Sequence, residues 1–133
     1  MKKRMIAVLL LSVLLLSACA GAGDWSYALP NGYEIWRVNG ENIAFGVRNG
    51  SVLENALDGS VEAFRYGERY VALRMAASEE SGEAFFLVDT EGSASYFAET
   101  EDELLQTCES LGVTDLGDWI ETQPAPKGAK FPE

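Results

Sequence analysis

Hydrophobic and polar residues alternate over most of residues 25–98, which is typical of β-strands that bury one face. Turn-forming sequences such as Pro30-Asn31-Gly32 and Asp89-Thr90-Glu91-Gly92 separate the alternating runs. The pattern predicts strands over residues 25–29, 33–38, 43–48, 61–66, 70–76, 84–88 and 93–98. Residues 49–60 are predicted to form a loop around a short apolar element at 52–57.

The tight connection at Asn39-Gly40 predicts which side chains of the second and third strands share a face. Hairpin loops of two and of four residues place the same side chains on the same face, a property we call parity. The prediction therefore does not depend on the register. On this reasoning Trp36 and Val38 are core residues. They are predicted to lie on one face with the apolar residues of the third strand, Ile43, Phe45 and Val47.

After residue 98 the apolar period changes to that of a helix. Thr100 and Glu103 have the spacing of a capping box, and Gly112 stands where a helix commonly ends. The spacing predicts a helix over 101–111 whose buried face carries Leu104, Leu105, Cys108 and Leu111. Beyond it, Trp119 and Ile120 are expected to fold back onto the core.

These elements predict an α+β fold that is mostly β. We expect an antiparallel meander sheet of about six or seven strands with one C-terminal helix packed on it. The single globular domain is predicted to span residues 25–121. Residues 122–133 contain three prolines and two lysines and are predicted to form a mobile tail.

The N-terminal segment follows a different pattern. Lys2, Lys3 and Arg4 precede twelve mostly apolar residues, 5–16, and the sequence Leu16-Ser17-Ala18-Cys19 closes the run. A leucine and two small residues before a cysteine resemble the lipobox of bacterial lipoproteins. The resemblance implies that Leu16, Ser17 and Ala18 are recognised by the lipoprotein signal peptidase, which cleaves before Cys19. Cys19 then carries a diacylglycerol thioether.

Two alternatives to a lipoprotein signal are a transmembrane anchor and an ordinary signal peptide cleaved near Ala18. A membrane-spanning helix needs about 20 apolar residues, and this run is shorter. The expected organisation is therefore a signal peptide over 1–18, a lipidated cysteine and short tether over 19–24, and then the domain. The protein is expected on the extracytoplasmic face of the cell membrane.

Charge excludes one class of partner. After residue 18 the chain has seven lysines and arginines against 21 acidic residues, a net charge of −14. Binding of nucleic acid needs clustered basic residues, so no nucleic acid partner is expected. The same charge is expected to push the domain away from anionic lipid. The acidic surface is expected to keep the domain soluble. The alternative is that it binds a cationic partner or holds calcium loosely.

The chain contains no histidine, which removes the most common general base and the usual zinc sites. Carboxylates are the remaining candidates for catalysis, as the paired acid and base of a glycosidase. They occur as Glu79-Glu80, as the set Glu99, Glu101, Asp102 and Glu103, and as Asp115 with Asp118. Loop and helix-start positions account for them without catalysis, so we expect no catalytic residues, no metal and no cofactor.

Two further sets of residues have alternative interpretations. Cys108 has no partner for a disulfide if Cys19 is lipidated, and its place on the apolar helix face predicts a buried, unreactive thiol. The aromatic residues Trp25, Tyr27, Tyr33 and Trp36 lie close to the anchor. They either form a face that stacks on a glycan or peptide, or fill the core from two strands.

Residues 23–37 (GDWSYALPNGYEIWR), 70–73 (YVAL) and 86–90 (FLVDT) resemble small uncharacterised lipoproteins of Gram-positive bacteria. The resemblance implies lipoprotein character and supplies no catalytic residues. The sequence thus predicts a non-enzymatic binding or interaction module. Its partners would be the membrane, through the lipid anchor, and another envelope protein or the cell wall. The alternative is a small carboxylate-dependent enzyme that acts on envelope glycans.

Overall fold

The computed structural model describes residues 24–39, 42–50, 52–77 and 82–131. This part of the chain contains nine β-strands and one α-helix. They are β1 (Trp25–Ala28), β2 (Tyr33–Asn39), β3 (Asn42–Asn49), β4 (Val52–Asn55), β5 (Val61–Tyr66), β6 (Tyr70–Met75), β7 (Ala84–Asp89), β8 (Ser95–Ala98), α1 (Glu101–Leu111) and β9 (Ile120–Glu121). The predictions for the signal peptide, the lipobox and Cys19 concern residues outside those described.

The strands form two antiparallel sheets. The first sheet has the order β1-β2-β3-β4, and the second has the order β8-β7-β6-β5-β9. The predicted α+β class, mostly β, is confirmed, and β5 to β8 form the predicted meander. In place of one sheet of six or seven strands there are two, because one short helix cannot cover so much apolar sheet surface. The predicted element at 52–57 contributes β4, which pairs with β3.

The main core lies between the two sheets. Ile35 and Phe45 of the first sheet and Phe64 and Leu73 of the second are fully buried there. A second core lies on the opposite face of the second sheet, beneath α1, and contains Leu87, Leu104 and Cys108. The order of layers is therefore first sheet, second sheet, helix. Both faces of the second sheet are covered, which explains why β7 reads as a continuous apolar run.

The helix begins and ends as predicted. The Thr100 hydroxyl accepts a hydrogen bond from the Glu103 amide at 3.2 Å, and the Glu103 carboxylate accepts one from the Glu99 amide at 2.9 Å. Gly112 closes α1 in the left-handed conformation, with φ of 73°. Leu104 and Cys108 are buried, whereas Leu105 and Leu111 are exposed, so the buried face is narrower than predicted.

A β-bulge in the first hairpin overturns the predicted face of Trp36 and Val38. Along most of the hairpin the register places Ile35 opposite Phe45 and Arg37 opposite Ile43, but Asn39 pairs with Asn42, a shift of one residue. The predicted parity holds only for an unbroken ladder, and one extra residue reverses it. Ile35 therefore enters the core in place of Trp36, and Val38 is 51 % exposed.

The segment after β9 does not extend away from the domain as the predicted mobile tail. Thr122 is buried, and its hydroxyl donates to the carbonyl oxygens of Val61 and Glu62 at 2.9 and 2.8 Å. The chain then crosses to the first sheet, where Lys130 and Ser26 exchange two backbone hydrogen bonds of 2.7 and 2.8 Å. Residues 122–131 therefore connect the edges of the two sheets.

Gly46 allows a close approach of β3 and β4, and we predict that Gly46→Ala destabilises the fold. A Cβ atom at this position would collide with the backbone carbonyl of Glu54. Because backbone has to move to relieve the collision, we expect a loss of about 2 kcal/mol in the free energy of unfolding. Urea denaturation measures it. Gly82→Ala is the control, since an added Cβ there meets nothing within 4 Å; equal effects of the two substitutions would contradict the prediction.

Candidate functional site

A groove of about 470 Å³ lies on the first sheet, over β1 to β3, beside the C-terminal segment. We call it the outer groove. Three aromatic residues line it (Trp25, Trp36 and Phe131), together with three basic residues (Arg37, Arg48 and Lys130). Asp24, Ser26 and Val38 complete its lining. Trp36 lines the groove because of the β-bulge, and Lys130 because of its backbone pairing with Ser26.

Trp36, Arg48 and Glu34 form one connected arrangement on the outer face of the first sheet. The Arg48 guanidinium carbon lies 4.9 Å from the centre of the Trp36 ring, within cation–π distance. Glu34 accepts hydrogen bonds from Arg48 through both carboxylate oxygens, and from the Trp36 indole at 3.1 Å. The Arg48 guanidinium lowers the pKa of Glu34. Glu34 therefore stays ionised and holds both the ring and the guanidinium in position.

Positive charge is concentrated at the outer groove. Of the seven lysines and arginines after residue 18, three line it. Arg48 is bound to Glu34, and the three arginines elsewhere are also engaged with other side chains. Arg65 lies over the Trp119 ring, Arg69 pairs with Asp89, and Arg74 pairs with Glu121. An acidic chain thus presents a local basic and aromatic surface beside its first described residue, Asp24.

Trp25 combines burial with an unused hydrogen-bond donor. Trp25 is 3 % exposed and belongs to the main core, and its indole N–H has no acceptor among the described residues. A buried indole N–H usually finds a partner, because leaving it unpaired costs free energy. The unpaired donor is therefore a local cost of packing Trp25 in the core.

The four aromatic residues singled out in the sequence do not form one face. Trp25, Tyr27 and Tyr33 point toward the main core, where Tyr33 stacks on Phe45 at a ring-centre distance of 5.3 Å. Tyr27 shares a 2.8 Å hydrogen bond with Tyr66, and burial with that bond raises the pKa of Tyr27 to about 12. Trp36 lies on the opposite face. The core interpretation thus fits three of the four residues, and the binding interpretation is open for Trp36.

The carboxylates considered for catalysis serve structural roles where the structure describes their contacts. Glu101 accepts a 2.8 Å hydrogen bond from the Trp119 indole, Glu103 forms the capping box, and Asp115 accepts one from the Glu68 amide at 3.0 Å. Asp102 and Asp118 are exposed. Glu79 and Glu80 lie outside the described residues.

A different set of carboxylates surrounds Arg74, next to a second cavity of about 450 Å³ that Glu62 and Glu121 line. Arg74 lies 2.8 Å from Glu121, 3.4 Å from Glu83 and 3.6 Å from Glu62. Burial, together with the neighbouring Glu83 carboxylate, raises the pKa of Glu62. This set was not predicted from the sequence, because its members come from three strands and a loop. Alternation alone could have placed Glu62 and Arg74 on neighbouring strands.

Asp89 is the most tightly held carboxylate in the described part of the chain. It is buried and accepts hydrogen bonds from Arg69 at 2.8 and 2.7 Å and from the Glu91 and Gly92 amides, both at 3.1 Å. The Thr90 hydroxyl donates to the Arg69 carbonyl and accepts a 2.8 Å bond from Asn31 of the first sheet's turn. This cluster joins the two sheets at one end, so we assign it a structural role.

Three negative findings apply to the described residues. No helix among them is long and apolar enough to cross a membrane. Nor do they contain a group of three or more histidine, cysteine or acidic side chains placed to hold a metal ion. Cys108 is free and buried in the helix-side core, and burial raises the pKa of its thiol, which disfavours the reactive thiolate.

No protein-family model, curated protein or solved structure matches this chain. The resemblance to Gram-positive lipoproteins set out above stays a prediction.

We predict that Asp89→Asn destabilises the protein at neutral pH and that the difference from wild type disappears in acid. Hydrogen bonds from Arg69 lower the folded-state pKa of Asp89 below its unfolded value of about 4. The Asp89 contribution to stability is therefore complete above that unfolded value and is lost as the pH falls through the lowered folded-state pKa. Thermal melts of both proteins between neutral and acid pH measure it. A difference that persists unchanged through acid pH would contradict the assignment.

Proposed function

We propose that this protein is a lipid-anchored, extracytoplasmic binding module that uses the outer groove as its ligand-binding surface. The lipobox resemblance at Leu16-Ser17-Ala18-Cys19 supports the anchor. The observation that carries the binding role is the Trp36–Arg48 pair beside Arg37 and Lys130. A flat aromatic surface next to several cations suits a ligand that has both an anionic and an apolar part.

Binding without catalysis accords with the chemistry of the groove. Among the described residues its one lining carboxylate is that of Asp24, and neighbouring Glu34 is held by Arg48 and Trp36. General acid–base catalysis needs a group that gains and loses a proton near the working pH. A carboxylate whose pKa is lowered by an arginine does not meet that need. The partners we propose are envelope components within reach of the anchor: the membrane, another envelope protein or the wall.

The carboxylates around Arg74 support a second candidate, a small enzyme that acts on envelope glycans. Glu62 lines a cavity and its pKa is raised, as a general acid requires, and Glu121 lines the same cavity. Arg74 lies between these carboxylates and neutralises part of their charge. The arrangement fits a structural ion-pair cluster as well as it fits a catalytic pair of carboxylates. Release of reducing ends from envelope glycans would favour the enzyme over the binding module.

We predict that Cys19→Ser abolishes lipid attachment. The thioether requires the cysteine sulfur, and a serine hydroxyl does not replace it. Metabolic labelling with a fatty-acid analogue, followed by purification of the protein, measures the attachment. Cys108→Ala is the matched control, because Cys108 is the other cysteine of the chain and is buried. It should keep the full label. Equal labelling of wild type and Cys19→Ser would refute the anchor.

A photoreactive side chain at position 38 tests the groove in living cells. We expect it to form adducts with an envelope component several-fold more often than the same side chain at position 52. Val38 and Val52 are 51 % and 59 % exposed, and both lie on the first sheet, but only Val38 lines the groove. Trp36→Ala should reduce the adducts from position 38. Equal adduct yields at the two positions would contradict a binding role for the groove.

A further inference from the structure

We infer that the occupant of the outer groove is the anionic phospholipid surface of the membrane that anchors the protein. The domain then rests groove-first on its own membrane. The inference rests on the proposed function, since it requires the lipid anchor at Cys19. It goes further by naming the ligand and by fixing which side of the domain faces the bilayer.

Distance is the first argument. Asp24 lines the groove and follows Cys19 by five residues. A fully extended chain spans at most 3.6 Å per residue, so the Cα atom of Asp24 lies within about 18 Å of the Cα atom of Cys19. The phospholipid headgroups are therefore always within reach of the groove. A soluble ligand has no such advantage of proximity.

Charge is the second argument. Arg37, Arg48 and Lys130 line the groove, whereas 21 acidic residues belong to the same mature chain. Among the described residues, the acidic side chain of Asp24 belongs to the lining, and Glu34 is bound to Arg48. The groove is therefore the described surface where an anionic membrane meets the most concentrated positive charge. The overall charge of −14 predicts repulsion from anionic lipid. That repulsion orients the domain, because it turns the acidic surface outside the groove away from the lipid.

Exposed apolar side chains are the third argument. Phe131 and Val38 are 58 % and 51 % exposed, and both border the groove beside the cations. Apolar side chains flanked by lysine and arginine are the pattern of surfaces that lie at the interface of a bilayer. A site for a small soluble anion gains nothing from them. These contacts favour a lipid surface over free phosphate as the source of the anionic group.

The full-length lipidated protein, reconstituted in vesicles, tests the inference. A fluorophore is attached to Val38→Cys or, as the control on the far edge of the same sheet, to Val52→Cys. Vesicles contain a zwitterionic phospholipid alone or mixed with phosphatidylglycerol, and a nitroxide-headgroup lipid quenches nearby dye. We expect stronger quenching at position 38 than at 52. The excess should grow with phosphatidylglycerol and shrink as sodium chloride is raised.

Two pairs of variants test the side chains. Lys130→Glu should lower the ratio of docked to undocked domain at least about fivefold, the effect of one basic residue near an anionic surface. Lys127→Glu is its control, with the same change of charge three residues earlier and outside the groove lining. Phe131→Ala should also reduce docking. Phe97→Ala is its control, because Phe97 is 59 % exposed and lies on β8, the far edge of the second sheet.

The possible outcomes separate the inference from the function on which it rests. Failure of the protein to float with vesicles would refute the anchor and the inference together. Flotation with equal quenching at positions 38 and 52, or quenching insensitive to phosphatidylglycerol, would overturn the inference alone. Loss of the excess in sodium phosphate but not in sodium chloride of equal ionic strength would show that the groove binds free phosphate. That result would also overturn it.

Discussion

Strands β6 and β7 carry apolar side chains on both faces of the second sheet, and both faces have to be shielded from water. Val71 and Leu73 face the first sheet, while Ala72 and Leu87 face the helix. Each large apolar side chain that is fully buried stabilises the fold by about 2 kcal/mol. Exposure of three such residues would therefore cost about as much as the whole stability of a small domain. The first sheet and α1 are both needed, and the three-layer order follows.

Elements that depend on local sequence could be predicted, and the pairing of distant segments could not. The helix depends on Thr100, Glu103 and Gly112, whose roles are set within one or two turns of chain, and its bounds agree with the prediction. The division into two sheets depends on whether β4 continues toward β5. The sequence of the loop between β4 and β5 does not distinguish the two cases, because a chain reversal and a crossing between layers use the same turn residues. Likewise, the prolines after residue 121 suggested mobility, yet Thr122 and Lys130 find backbone partners on two different sheets.

The candidate groove was beyond prediction for the same reason. Its cations come from β2, β3 and the C-terminal segment, separated by up to 93 positions between Arg37 and Lys130. The composition shows a strongly acidic chain and does not indicate that three of its few basic residues line one groove. Net charge describes the far field of a protein, whereas binding depends on the charge within a Debye length of the ligand, about 10 Å. Here the net charge predicts repulsion of an anionic ligand, whereas the charge near the groove predicts attraction.

The β-bulge between Arg37 and Asn39 links the failed face assignment of Trp36 and Val38 to the outer groove. In an unbroken hairpin Trp36 would share a face with Phe45 and be buried with it. The shift of one residue sends Ile35 into the core and turns Trp36 outward, where Arg48 lies over its ring and Glu34 accepts its indole hydrogen bond. Bulges redirect side chains at a local cost in ladder hydrogen bonds, and proteins use them next to functional sites. The departure from regular alternation is therefore what places a large aromatic surface on the outside of an otherwise well-packed sheet.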